Sequence, residues 1–207
     1  MSPSAPANPV AYIVSQVASA AELEPEAQAL LTPAMGPREF VTAMAEAQLH
    51  VDALKFLAHL LPRREAVWLG WLCAKKELEK QLTGEEQGAL AATERWIREP
   101  TDANRRAALD AATAATLESP AGCAALGAYL SGGSMAPVDL EMVPPPRYAT
   151  ARAVFGCLIL TAVQTEPEKA PERYKKYLGD GLELAERIDL WKSVDRAAQG
   201  ALTPNPR

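Results

Sequence analysis

Two histidines, His50 and His59, fall within ten residues of one another, with Glu46, Asp52 and Glu65 close by in the chain. Glu46 and His50 stand four apart and share one face of a helix, so they could offer two metal ligands that Asp52 and His59 complete. The competing reading places His50 at a helix end and His59 near the C-terminus of its own helix, where a partial positive charge is favoured. The chain contains no HExxH spacing, and no metal or other cofactor is expected. Cys73 beside a histidine would be a nucleophile with a base. Within Trp-Leu-Gly-Trp-Leu-Cys-Ala, however, it has no cation at its own turn to lower its pKa, so inert packing is expected. Ser131-Gly132-Gly133-Ser134 lacks the following lysine of a phosphate-binding loop and the GxSxG of a nucleophile elbow, and reads as a helix terminator. No catalytic residue is identified, and the chain is not expected to be an enzyme.

Residues that could bind a partner by contact are better represented. Arg63 and Arg64 follow Pro62 in the first turn of a helix, where two cations oppose the dipole. A carboxylate on a neighbouring helix is expected to offset them, with a binding role for Arg64 as the alternative. Trp68 and Trp71 cannot point the same way, so one fills the core while the other lines a groove. At least three of the four tryptophans (Trp68, Trp71, Trp96 and Trp191) are expected in the core. Pro145-Pro146-Arg147-Tyr148 matches the short pattern that WW domains bind, a match that chance explains as well. The expected partner-binding set is Trp68, Trp71, Arg64, Met135, Pro144, Pro145 and Tyr148, around a groove bordered by residues 49–82 and 135–148.

The element that must position these side chains is the segment 49–82. Asp52 can cap a short helix carrying Leu54, Leu57, Leu60 and Leu61, and Pro62 restarts a longer one. From Ala66 to Ala74 that second helix has no polar face, and a helix apolar all round must be covered all round. Helices are expected in pairs over 37–49 and 51–61, 62–80 and 83–99, 101–117 and 120–130. The uneven spacing of the pairs speaks against a regular repeat. Thr83 and Glu86 form a capping box, and Ser119-Pro120 opens a helix by cap and proline. Residues 149–165 form a second, nearly all-apolar helix with Ala151, Phe155, Leu158 and Ala162 in the core; a last long helix spans 171–188, with a bend near Gly179 and Gly181. Between them, Pro137 and Pro144 to Pro146 forbid helix, so Val138, Leu140, Met142 and Val143 are expected in an extended strap lying across the helices. The expected fold is all-α: an irregular bundle of seven to nine helices with a proline-rich strap, possessing some repeat-like character. One domain over 9–200 is expected, with 1–8 disordered and 201–207 a flexible tail.

With 207 residues, the chain can fill one core or two small ones. Hydrophobic residues make up 48% and aromatics 6%, so small side chains favour close helix packing. A formal charge of −5, with Lys and Arg interleaved among Asp and Glu, argues against a nucleic-acid partner. Cys73, Cys123 and Cys157 are odd in number and far apart, which fits a reducing compartment. The first ten residues have no basic region followed by an apolar stretch, and the greasiest run, 153–163, falls short of the roughly 20 residues that span a bilayer. A cytoplasmic protein without membrane insertion is expected.

The segments FVTAMAEAQLHVDALKFLAHLLPRREAVWLGWLCAKKEL, SGGSMAP and PPPRYATARAVFGCLIL together resemble a family of uncharacterised bacterial all-helical proteins, over most of residues 37–165. Some members of that family are encoded near type VI secretion genes. The resemblance implies an accessory role, such as an adaptor or chaperone for a secreted or assembled component, and brings no catalytic residues with it. The leading expectation is a non-catalytic interaction protein with a protein or peptide partner. The alternatives are a metal-binding protein or small enzyme using the His50 and His59 region, and a self-assembling subunit whose partner is a copy of itself.

Overall fold

The structure, a computed structural model, describes residues 9–200; the expectations for 1–8 and 201–207 fall outside the described residues. Among the described residues there are eleven α-helices and one 3-10 turn, with no strand, so the chain is all-α. The count exceeds seven to nine because the short α2 and the terminal α11 each stand as helices of their own. The described backbone divides into two compact units, residues 9–60 with 178–200 and residues 61–177.

In the first unit, α1 (Pro9–Ala21) packs against α3 (Pro37–Glu46), α4 (His50–Leu60) and α11 (Leu190–Gly200), with α2 (Pro25–Ala29) between α1 and α3 in sequence. Phe40 of α3 meets Phe56 of α4 edge to face, with ring centroids 5.1 Å apart and planes at 88°. Val14, Val41, Met44, Leu54 and Leu57 complete a fully buried core. Asp52 does not cap α4, which starts two residues earlier. Its carboxylate accepts the Glu24 N–H at 2.9 Å, at the start of α2, a long-range contact that local pattern cannot show.

The second unit contains α5 (Arg63–Leu78), α6 (Gly84–Arg98), α7 (Asp102–Ala114), α8 (Pro120–Tyr129) and α9 (Ala149–Val163), and then the turn 167–169. Three of these helices open on side-chain caps visible in the sequence. Thr83 and Glu86 exchange hydrogen bonds as a capping box, Thr101 accepts from the Asn104 N–H, and Ser119 accepts from the Gly122 N–H. α10 (Ala170–Arg187) is one unbroken helix through Gly179, and the division between the units falls within it.

The packing places α8 at the middle of this unit, in contact with α5, α6, α7 and α9. Its sequence is Pro-Ala-Gly-Cys-Ala-Ala-Leu-Gly-Ala-Tyr, and all but Leu126 are buried. The position surrounded on most sides takes the smallest side chains, because interiors are close-packed and four neighbours leave little room. At Gly127 an added Cβ would lie 3.3 Å from Val154 of α9 and 3.5 Å from Val67 of α5, so the missing side chain sets how near the three helices come. α5 is largely covered, with Val67, Leu69, Cys73, Ala74 and Leu78 buried, but Trp68, Trp71 and Leu72 stay half-buried. Trp96 is the one buried tryptophan; Trp191 too is half-buried, contrary to the expectation of three in the core. Each half-buried indole has its polar edge to satisfy: Trp71 Nε1 donates to Leu90 O at 3.0 Å and Trp191 Nε1 to Glu186 at 2.9 Å. Phe155 is likewise half-buried, and Val154 and Cys157 occupy the core face of α9 instead.

No helix among the described residues is long and apolar enough to cross a membrane.

Candidate functional site

Arg105 organises the surface that carries the candidate residues. It lies in the first turn of α7, where Thr101 caps the helix and Asp102 follows, so that Asp102, Arg105 and Arg106 fall on one face at i, i+3 and i+4. Asp102 Oδ1 accepts from Arg105 Nε at 2.8 Å and Nη2 at 2.6 Å, and Oδ2 accepts from Arg106 Nε at 2.8 Å. Hydrogen bonds from Arg106 and then Arg105 hold the Asp102 carboxyl below the usual carboxylate range. Arg105 is only 4% exposed, a burial that a guanidinium tolerates when its donors are used. It donates also to Tyr129 O at 2.9 Å and Ser134 O at 2.7 Å, and lies over the Tyr129 ring at 4.9 Å. Gly133, at φ 65°, lets the backbone pass this guanidinium: a Cβ there would come within 3.0 Å of Arg105 Nε.

Those bonds fasten the base of the proline-rich segment. Arg106 Nη2 donates to Ala136 O at 3.0 Å, Ser134 Oγ accepts from the Ala136 and Val143 N–H groups at 3.1 Å, and Met135 N donates to Val143 O at 2.7 Å. Tyr129 Oη donates to Met135 O at 3.0 Å. The result is a loop closed on itself between Ser134 and Val143, not a strap lying flat on helices. Closure draws the two ends together and pushes the middle outward, so Val138 is 82% exposed, Leu140 61%, Met142 69% and Val143 46%. Asp139 and Glu141 alternate with them and form no ion pair among the described residues. Pro144 is exposed and Pro145 half-buried; Tyr148, half-buried at the N-cap of α9, has φ 68°, which leaves the polyproline register that a WW groove reads.

Arg63 and Arg64 have no carboxylate partner among the described residues, contrary to expectation. Arg63 Nη1 donates to Ser131 O at 2.7 Å and Arg64 Nε to Ile97 O at 2.6 Å. Both acceptors lie at helix C-terminal ends, of α8 and α6, so the negative ends of two helices replace the carboxylate. With Arg105, Trp96, Gly132 and Gly133 they line an open hollow of about 440 Å³. Trp71 belongs to a different hollow of about 270 Å³ with Lys75, Leu90 and Glu94, and Lys75 Nζ stands 4.7 Å over its ring. The expected contact residues are thus distributed: Arg64 in one hollow, Trp71 in another, Met135 at the base of the loop, Pro144, Pro145 and Tyr148 on its return, and Trp68 half-buried on α5.

The alternative metal quartet lies in the first unit. His59 is buried and its Nδ1 donates to Lys55 O at 2.7 Å, while Asp52 is committed to the Glu24 backbone. Among the described residues no three or more His, Cys, Asp and Glu side chains, Glu46, His50, Asp52 and His59 included, are grouped so as to hold a metal ion. Cys73, Cys123 and Cys157 are buried free thiols, and burial pushes the Cys123 and Cys157 thiols up, away from thiolate chemistry.

The Asp102, Arg105 and Arg106 anchor escaped sequence reading, although the i, i+3, i+4 spacing was a signal for the ion pairs; the loop carbonyls they also hold lie some thirty residues downstream. No curated protein and no solved structure matches the chain. A family model does match, over residues 40–185, a span that takes in α5 to α9, the hollow and the loop; the chain belongs to DUF6931, a family of unknown function.

Proposed function

We propose that the chain is a non-catalytic interaction protein that presents the 134–143 loop to a protein partner. The observation that carries this reading is the contrast between base and tip. A buried arginine, a second arginine, a serine and a tyrosine fix the loop's base, while three large apolar side chains at its tip, Val138, Leu140 and Met142, face water. Holding such side chains in place before contact lowers the ordering cost of binding. The alternation of Val138, Leu140 and Met142 with Asp139 and Glu141 suits an apolar cleft rimmed by Lys and Arg. An adaptor or chaperone for an assembled component, the role that the family resemblance implies, would use a loop of this kind.

The test pairs the full chain with the variant V138S/L140S/M142S. A partner retained by the wild type at stoichiometric level and lost by the variant, with unchanged thermal midpoints, is the expected result. A set of captured proteins that the substitutions leave unaltered would remove the loop from the account. The apolar tip amounts to on the order of 400 Å², about half of the ~800 Å² that each side gives to a standard interface. Light scattering over a concentration series is accordingly expected to give the monomer mass for both proteins. A dimer abolished by the serine variant would favour the self-assembling alternative.

A further inference from the structure

We infer that the hollow between the first turns of α5 and α7 and the Ser131–Ser134 loop binds a phosphate group. Three guanidiniums, of Arg63, Arg64 and Arg105, line it against one carboxylate, that of Asp102. Asp102 is already bonded to Arg105 and Arg106, so Arg63 and Arg64 line the hollow with no carboxylate partner among the described residues and only the partial negative charge of two helix ends against them. Each makes a single hydrogen bond, to a helix-terminal carbonyl, which fixes the head group and leaves four of its five N–H donors without a protein acceptor among the described residues. The same tethers hold both cations in the opening turn of α5, where the dipole disfavours them until an anion arrives.

The loop adds neutral donors. The N–H groups of Gly132 and Gly133 have no protein acceptor among the described residues, and neither glycine puts a side chain into the hollow. Guanidinium donors beside a glycine loop match a phosphate dianion in charge and in hydrogen-bonding type. The charge match also favours phosphate over a carboxylate, since two cations without a carboxylate partner among the described residues line the site. At about 440 Å³ the hollow exceeds one phosphate, leaving room beside Trp96 and Pro100 for the group that carries it.

This site is independent of the loop tip, and V138S/L140S/M142S is expected to retain it. The test titrates the full chain with inorganic phosphate, with glycerol 3-phosphate and with a phosphoserine peptide at constant ionic strength, observing arginine Nε–H resonances and the ³¹P signal. Saturable shifts at Arg63 and Arg64 below about 10 mM ligand support the site. Tighter binding of the peptide than of the two small ligands by about tenfold or more identifies a phosphorylated protein as the source; equal or weaker binding identifies a free phosphorylated molecule. R63Q and R64Q are each expected to weaken binding about tenfold or more, while R98Q, outside the hollow, leaves it unchanged. R63K and R64K keep the charge and a donor for the carbonyl, so they separate loss of the fork from loss of the fold. Wild-type shifts that fail to saturate, or that chloride reproduces at equal ionic strength, overturn the inference.

Discussion

The Tyr177 hydroxyl is buried without a hydrogen-bond partner among the described residues, in a side chain only 1% exposed. Burial first, and then the nearby Glu77 and Cys73, push its ionisation far above the ordinary phenol range. An unsatisfied buried hydroxyl costs about 1–3 kcal/mol, so Y177F, which keeps the ring, is expected to be neutral or to stabilise by up to about 1 kcal/mol in denaturant unfolding at pH 7. The linkage gives a second sign. A folded-state pKa above the unfolded one leaves stability intact below about pH 10 and erodes it as pH rises from there, because only the unfolded tyrosine ionises. Y177F is expected to lack that share of the alkaline loss, and a variant weaker than wild type at both pH values would mean that the hydroxyl is satisfied. Phe40 and Phe56 have no polar atom to satisfy and pack edge to face, but whether a tyrosine or tryptophan reaches a partner depends on a neighbour brought from elsewhere. That is why the indoles were placed too deep.

Most helices begin where the sequence carries a cap or a proline, and many end where it is silent. Their starts carry Pro, Thr or Ser at the cap or the first position, local chemistry that needs no tertiary context. Their ends are closed by non-glycine residues in left-handed conformation: Glu22 after α1, Gln48 after α3, Thr116 after α7, Glu166 after α9 and Asp189 after α10. Glycine marks such positions in a sequence; glutamate, glutamine and threonine do not. Thr116 is the costliest of these, being β-branched at φ 65°. T116G is expected to raise the unfolding free energy by about 1 kcal/mol in urea, and a destabilisation of that size would show that the threonine side chain is needed there. The same blindness affected the proline-rich segment. Its prolines excluded helix, as read, but its path depended on Arg105 and Arg106 of α7 and on Ser134, which closed it into a projecting loop.

Across the whole molecule, four carboxylates are held acidic by neighbouring cations. Hydrogen bonds from Arg98, from Arg106 and Arg105, from Lys169 and from Lys192 lower Glu94, Asp102, Glu166 and Asp189 respectively. A folded pKa below the unfolded one adds stability above about pH 4, and that stability is lost as pH falls through the folded values. The expected outcome is a flat thermal midpoint near neutrality that declines below about pH 4, with a shallower decline in D102N. Asp102, Glu166 and Asp189 are exposed and Glu94 is half-buried, so each contributes little and salt should flatten the limb further. An acid limb unaffected by D102N would place the loss elsewhere.

Sequence alone determined the all-α class, most helix starts and the breaker at 131–134, because periodicity, capping and spacing are local properties. It pointed to α5 as the centre because hydrophobicity is what a sequence displays. Only the tertiary structure showed that the small-residue helix α8 is surrounded on most sides, since enclosure depends on volume and on neighbours. The same holds for Arg63 and Arg64, which found helix-end carbonyls where a carboxylate was expected, and for the loop that stands free. Each depends on which distant backbone lies alongside, and that is decided by packing.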